Sequence, residues 1–432
     1  MRKLEVSSQL FVGNRQRLRE HIQGSSLAVV NANDILPTSA DGVLPMQPNP
    51  DMFYLTGIAQ EQTILLLAPD AQDEKLREVL FVREPSPHLK IWEGDKHSKE
   101  EAQRISGIQN VRWLAEFPSL FHKLICELEH VYLNSNEHPS AAREVASRDE
   151  RFIQQTVRKY PLHQYHRLAR ILHGLRAVKS EQEIALIGHA NEITRKGFLR
   201  VLRKVKPGIN ECEVEAEFAH EFIRNGARFA YPPIVAGGAN SCVLHYTENN
   251  RPLRNGDLLL LDVAARSANY NSDVTRTIPV GGRFTRRQAR IYDAVLRVLR
   301  AVIKTTVKGK LLRDWQKEAE AIVEHELLEL GLLKQSDLKK QDPDNKALKK
   351  YFMHGVGHPL GLDVHDVSLG NRPFAPGWVL TVEPGIYLPE EGFGIRLEND
   401  ILVGEDEPVD LTASIPIEAS EIEDLMSRGS KA

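Results

Sequence analysis

Apolar positions in the first third of the chain fall in short unbroken runs. Leu27-Ala28-Val29-Val30, Thr63 to Ala68 and Val79 to Arg83 are strand-sized and bounded by Pro, Gly and Asn, a pattern that predicts buried strands. Residues 37–50 hold four prolines and one glycine in fourteen positions, which predicts loop. His163 to Leu175 reads as a helix leading out of this region, with a domain boundary within residues 165–178.

Beyond it the period changes to helical. Ser180 and Glu183 have capping-box spacing, and Ile184, Ile187, Ala190, Thr194, Phe198 and Val201 form one stripe. Pro207-Gly208 ends that helix; Asn210 and Glu213 open the next, with Val214, Phe218 and Phe222 on one face and Asn225-Gly226 as its stop. A third helix follows a Thr285 cap through Ile291, Val295, Val298, Leu299 and Val302. Strands are expected at Leu258–Ala264, Asp273–Thr277, Val379–Glu383 and Gly394–Asn399. Helices segregated from strand pairs indicate α+β for this half. The last residues, Ser427 to Ala432, read as a frayed tail.

A chain of 432 residues exceeds one ordinary core, so two domains are expected, at 1–170 and 176–432. Lys+Arg 56 against Asp+Glu 59 leaves a formal net charge of −3, which supplies no electrostatic footprint for nucleic acid or an anionic membrane. The basic run Arg283 to Arg290 sits at a helix start and reads as a solvated face. No apolar run approaches a membrane span, and Met1 to Gln9 carries two cations without the apolar core of a leader. Cys126, Cys212 and Cys242 are sparse and unclustered, neither a disulfide framework nor a zinc ribbon. A cytoplasmic protein is the expectation.

The chemistry concentrates in the second half. Asp262 closes four consecutive leucines, and Asp273 follows eleven residues later. An acidic residue ending such a run is costly to bury unless something neutralises it. His354-Gly355-Val356-Gly357-His358 and His365 come next, then Glu383 at the end of Val379-Leu380-Thr381-Val382, then Arg396 and Glu398 in alternation. Singly, each has a plainer role as a turn residue, packed histidine or strand-face ion pair. Together they supply hard oxygen donors with imidazole. Asp262, Asp273, Glu383 and Glu398 carry −4, which two divalent ions would cancel and one would not. Two such ions about 3.5–4 Å apart can share a bridging water and lower its pKa toward neutrality. Oxygen-rich ligands favour manganese or another hard ion, with cobalt, iron and zinc also compatible.

In that order, Asp262, Asp273, His358, Glu383 and Glu398 closely resemble the metal ligands of the creatinase/aminopeptidase "pita-bread" metallopeptidases, which include methionine aminopeptidase, prolidase and aminopeptidase P. The resemblance spans roughly residues 176–410. It implies that Asp273 and Glu398 bridge two metals, Asp262 binds one, and His358 with Glu383 binds the other. The family has a further histidine seven residues after its metal histidine; His365 stands at that offset from His358, which favours His358 over His354 as ligand. His245 matches the substrate-side histidine, and with His365 would hold the scissile carbonyl and its tetrahedral gem-diolate. The resemblance further implies His354 beside the proline, Glu383 as proton shuttle and Arg396 as orienter of a metal carboxylate. Pro359 stands where an aromatic often follows the metal histidine.

Asp51 to Gly57, Leu80 to Glu84 and Ile91 to Gly94 are similar to the N-terminal domain of aminopeptidase P, which methionine aminopeptidases lack. The implied architecture is α+β, a pita-bread catalytic domain preceded by a smaller α/β domain. The implied activity is that of a Xaa-Pro aminopeptidase, releasing the N-terminal residue from peptides with proline second through a metal-bridging hydroxide. A prolidase restricted to Xaa-Pro dipeptides is the alternative, and a non-catalytic binding module the distant third. A homo-oligomer, dimer or tetramer, is implied as well, in which Trp92 could serve a neighbouring subunit's site.

Overall fold

Ser26–Asn31 and Ile64–Leu67 are buried at every position, which is why they read as unbroken apolar runs rather than alternating ones. They form the centre of a six-stranded sheet ordered Asn110–Trp113, Glu78–Val82, Ile64–Leu67, Ser26–Asn31, His130–Leu133, Gln164–Arg167. The three central strands are antiparallel neighbours; the outer ones join in parallel, as crossovers through helices require. Helix Phe117–Glu127 packs Phe117, Phe121 and Leu124 onto the apolar side chains of the sheet, with Phe117 edge-on to Phe81 at 5.2 Å. Helix Ser8–Arg19 meets Pro50–Thr56 through Phe11 and Phe53, edge to face at 5.7 Å. Residues 37–49 are loop apart from one bridge between Pro37 and Val43, and Pro50 begins a helix.

The computed structural model describes residues 4–141, 144–342 and 345–429, and the chain divides into two compact units, Glu5–Arg176 and the residues from Ala177 onward. One expectation fails at the end of the first unit. His163 to Leu175 is not one helix: Gln164–Arg167 is a strand paired with His130–Leu133, and helix Leu168–Ala177 starts after it. Four residues show no period, and the partner that makes them a strand lies more than thirty residues earlier.

In the second unit the capping signals hold. Ser180 and Glu183 cap Glu181–Leu202 reciprocally, Asn210 and Glu213 cap Glu211–Arg224, and Thr285 and Gln288 cap Arg286–Thr305. Their apolar stripes meet in one core with Leu258, Leu259 and Leu261. The basic run is a solvated helix start, where Arg287 pairs with Glu391. Leu258–Asp262 lies between Ile234–Gly237 and Thr275–Pro279 in a three-stranded antiparallel sheet.

Two strand expectations need correction. The strand expected from Asp273 starts at Thr275, because the Asp273 N–H donates to the Asp400 carboxylate instead of a ladder partner. The strand expected at Gly394–Asn399 is two: Phe393–Arg396 pairs with Gly385–Leu388, and Asn399–Leu402 with Val379–Val382. They part because the Leu397 N–H donates to Pro384 O and the Glu398 N–H to Thr275 O. At the C-terminus, helix Ala419–Gly429 includes residues expected to fray, and residues 430–432 lie outside the described ones.

Candidate metal centre

Antiparallel pairing brings the two aspartates to one end of a sheet. Thr275 lies opposite Asp262 in the ladder, so Asp273, two residues earlier, falls beside Asp262. The Tyr231 hydroxyl lies 2.5 Å from Asp262 Oδ1 and 2.6 Å from Asp273 Oδ1, so one buried proton serves two carboxylates. Burial and those carboxylates together hold the Tyr231 phenol well above its ordinary pKa, keeping that proton in place.

The histidine and the next glutamate are set by a second close pairing. The Thr381 N–H donates to His358 O at 2.8 Å, the Glu383 N–H to Val356 O at 2.8 Å, and the His358 N–H to Thr381 Oγ1 at 3.1 Å. This approach requires glycine between the two acceptors. A Cβ on Gly357 would lie 2.0 Å from the Thr381 carbonyl oxygen. His358 Nε2 comes 3.5 Å from Asp273 Oδ2 and 3.7 Å from Glu383 Oε1. Its Nδ1 faces Pro359 O at 3.0 Å; a carbonyl only accepts, so Nδ1 carries the hydrogen and Nε2 faces the carboxylates.

Glu398 enters from the break between its two flanking strands and takes the Thr275 hydroxyl hydrogen bond at 2.6 Å. One donor atom each from Asp273, His358 and Glu398 lies within 4.8 Å of the other two. The structure thus gathers all five residues singled out as ligands, with Asp262 joined through Tyr231 and Glu383 through His358.

Their ionisation shows what the cluster lacks. Burial raises Asp273, with Asp262 adding repulsion against His358, and burial plus the charges of Asp273, Glu383 and Asp262 drives Glu398 well above the carboxylate range. Burial lifts Glu383 to about 7, against the pull of His358 and Arg396. Burial lowers His358, but its contact with Asp273 and the charges of Glu383 and Asp273 outweigh this and raise it to about 9. Carboxylates that resist ionisation beside an imidazole that takes up a proton are short of positive charge. Hard divalent cations fit this donor set and would displace those protons.

Arg396 donates to Asp262 Oδ2 at 2.6 Å, to the Tyr387 hydroxyl at 2.9 Å and to Thr275 Oγ1 at 3.3 Å. His354 Nδ1 faces Gly355 O at 2.7 Å, so its Nε2 accepts from the Tyr387 hydroxyl at 2.8 Å. Burial, then the Arg396 charge, lowers His354 to about 3, which makes it a neutral imidazole. The His365 ring stacks on His358 at 3.8 Å and 13°. His245 is exposed, and its charge is among those that lower His354. Trp92 lies in the first unit on helix Pro87–Glu93, whose side chains are not buried, and is itself 76% exposed.

Several residues that build this site gave no sequence signal of it. Tyr231 and Tyr387 look like core aromatics. Glu211 reads as an acidic first-turn residue, yet its buried carboxylate accepts from the Gly237 N–H at 2.7 Å, the Arg251 N–H at 2.8 Å and the Tyr246 hydroxyl at 2.9 Å, anchoring the loop that carries His245. Arg276, fully buried, donates to Glu398 O at 2.7 Å and Thr275 O at 2.9 Å, and to Pro416 O and Ile415 O at 2.8 and 3.2 Å.

The pattern that defines metallopeptidase family M24 matches residues 185–405, and that of the aminopeptidase P N-terminal domain matches residues 11–132. The chain belongs to metallopeptidase family M24. Among M24 relatives, the Xaa-Pro aminopeptidase of Escherichia coli is 36% identical, with 98% of each chain covered. That of Haemophilus influenzae is 34% identical over 96% of this chain and 97% of its own. A putative aminopeptidase P from Bacillus anthracis superposes with a TM-score of 0.91 at 32% identity, over 98% of this chain and 99% of that one. Zinc-substituted Escherichia coli aminopeptidase P in complex with product gives 0.88 at 34% identity, over 99% of both. The fold is accordingly α+β, a pita-bread domain preceded by the smaller α/β domain.

Proposed function

We propose that this M24 chain is a dinuclear metallo-exopeptidase, a Xaa-Pro aminopeptidase that removes the first residue of peptides with proline second. The carrying observation is the gathering of Asp262, Asp273, His358, Glu383 and Glu398 into one charge-deficient cluster. The full-length similarity to named Xaa-Pro aminopeptidases supports that reading over prolidase, and an intact ligand set weighs against a binding module.

In this proposal Asp262, Asp273, His358, Glu383 and Glu398 would together hold two divalent ions. When bound, two divalent ions, manganese by preference, supply an activated water and polarise the scissile carbonyl. Glu383 takes a proton at its carboxylate and delivers it to the departing imino nitrogen. His245 and His365 donate to the carbonyl oxygen as negative charge develops there. Neutral His354 lies beside the proline without adding charge. Arg396 orients Asp262 through the 2.6 Å contact. A Xaa-Pro bond has no N–H, so recognition must rest on the ring and on the free amino terminus rather than on a backbone donor.

The division of labour at 1–170 and 176–432, the oligomer with Trp92 at a neighbour's site, and a cytoplasmic setting belong to the same proposal. Among the described residues no helix is long and apolar enough to cross a membrane, and all three cysteines are free. The test is hydrolysis of a Xaa-Pro-Yaa tripeptide and a Xaa-Pro dipeptide side by side, in manganese and after chelation. Chelator-sensitive cleavage of the tripeptide supports the proposal. Cleavage of the dipeptide alone makes the protein a prolidase, and silence on both across several metals favours the binding module.

A further inference from the structure

The loop that carries His365 is closed on itself and tied at both ends. The Asp366 N–H donates to Pro359 O at 2.8 Å and the Gly361 N–H to Asp363 O at 3.0 Å, while the Leu360 N–H reaches Val379 O at 2.9 Å. Asn271 donates through its side chain to Gly361 O and Leu362 O, each at 3.0 Å. Under this loop lies an ion pair that the catalytic reading leaves unused. Lys179 Nζ sits 3.1 Å from Asp366 Oδ2, with side-chain exposures of 2% and 1%. Lys179 arrives from the residue before the Ser180 cap, and its backbone N–H is held by Gly377 O at 2.8 Å.

Such a pair is expensive to bury and is retained only where its geometry is tightly held. Here the packing leaves it no freedom. A Cβ on Gly361 would lie 2.2 Å from Asp366 Oδ2 and 3.0 Å from Lys179 Cε, so a side chain at 361 would wedge the pair apart. The carboxylate that Lys179 holds belongs to the residue immediately after His365. Asp366, fixed by its backbone N–H at Pro359 and its side chain at Lys179, sets the backbone from which the His365 ring stacks on His358.

We propose that Lys179 and Asp366 are a positioning pair for His365. They hold the Pro359–Asp366 loop so that the His365 imidazole stays over the metal histidine, facing substrate. Neither touches the reacting atoms. The proposal rests on the Xaa-Pro hydrolase reading for the role of His365, but the loop clamp itself does not.

The experiment is a double-mutant cycle on the metal-loaded full chain, combining Lys179→Met with His365→Ala. If Lys179 acts through His365, each single variant loses about 10–100-fold in kcat and the double loses no more than His365→Ala alone, because the interaction is already gone. Lys179→Arg should restore most of the activity lost by Lys179→Met, and all variants should bind metal at the parental stoichiometry. Losses that multiply in the double, or a Lys179→Met that keeps parental kcat, overturn the proposal. Should Lys179→Met fold poorly, the isosteric Asp366→Asn replaces it in the same cycle. Hydrogen exchange gives a reading independent of activity: the amides of Leu360, Gly361 and Asp366 should lose protection in either variant while helix Glu181–Leu202 keeps its own. Unchanged protection of those three amides overturns the clamp even if the parent proves inactive on Xaa-Pro peptides, an inactivity that counts against the function alone.

Discussion

The Tyr231 hydroxyl is the smallest part of the site with a large electrostatic task. Its single proton stands between Asp262 and Asp273, which would otherwise face each other without a donor between them. Tyr231→Phe keeps the ring and removes the proton. Metal affinity should fall about 10–100-fold with the fold intact, as for loss of other groups that orient ligands; manganese titration followed by calorimetry reads it, and an unchanged affinity would show that the hydroxyl is dispensable. Another residue-scale effect belongs to the first unit. Asp149 is buried, accepts from the Asn31 side chain at 2.7 Å, and is raised by burial to about 7. A carboxyl raised on folding binds its proton more tightly in the native state, so it favours folding at low pH and loses that contribution as pH climbs from about 4 to 7. The parent should therefore lose stability against Asp149→Asn between pH 5 and pH 8, on the order of a few kcal/mol. Urea denaturation at both pH values measures it; parallel pH profiles for the two proteins would refute the assignment.

At the scale of elements, the site depends on how closely strands can approach. Gly357 has the Thr381 carbonyl oxygen 2.0 Å from where its Cβ would be, whereas Gly355, two residues earlier, has nothing closer than 3.6 Å. Gly357→Ala should push His358 off its strand partner and abolish stoichiometric metal binding, while Gly355→Ala should bind metal normally. Metal analysis after dialysis separates them, and equal metal content in both would remove the role given to this approach. What the sequence could show follows from the same logic. The candidate ligands were legible as a cluster because acids and histidines at the ends of leucine and valine strands are costly to bury without a cation. The helices were legible because their caps and stripes are local. Gln164–Arg167 was not, since a four-residue edge strand is defined by a distant partner, and the break at Leu397 was not, since two backbone bonds to other segments cause it. Tyr231, Tyr387 and Glu211 escaped notice because each looks like an ordinary core or helix residue until its partner is placed beside it.

For the whole molecule, the uncompensated carboxylates make metal a contribution to folding as well as to chemistry. Burial and repulsion raise Asp273 and Glu398, so the metal-free protein stores unfavourable charge that cations relieve. A ligand at one hundred times its Kd stabilises the native state by about 2.7 kcal/mol. Manganese should raise Tm by several degrees at neutral pH, chelation should reverse it, and Asp273→Ala should abolish both the shift and the activity. Scanning calorimetry with and without chelator decides; a Tm indifferent to metal would mean the cluster does not bind it in the folded state.

Arg276 carries one more implication, for the order in which the protein becomes itself on the ribosome. Its guanidinium joins the backbone of Glu398 to carbonyls at Ile415 and Pro416. Asp262 and Asp273 emerge long before the segment that fixes Glu398 in place. A nascent chain that has exposed both aspartates is therefore still an inert scaffold, and the pocket is complete only once the segment from Glu398 to Pro416 has folded onto Arg276. Hydrolytic capability thus waits on a segment more than a hundred residues beyond the first two acids, which keeps a half-made chain from cutting its own neighbours.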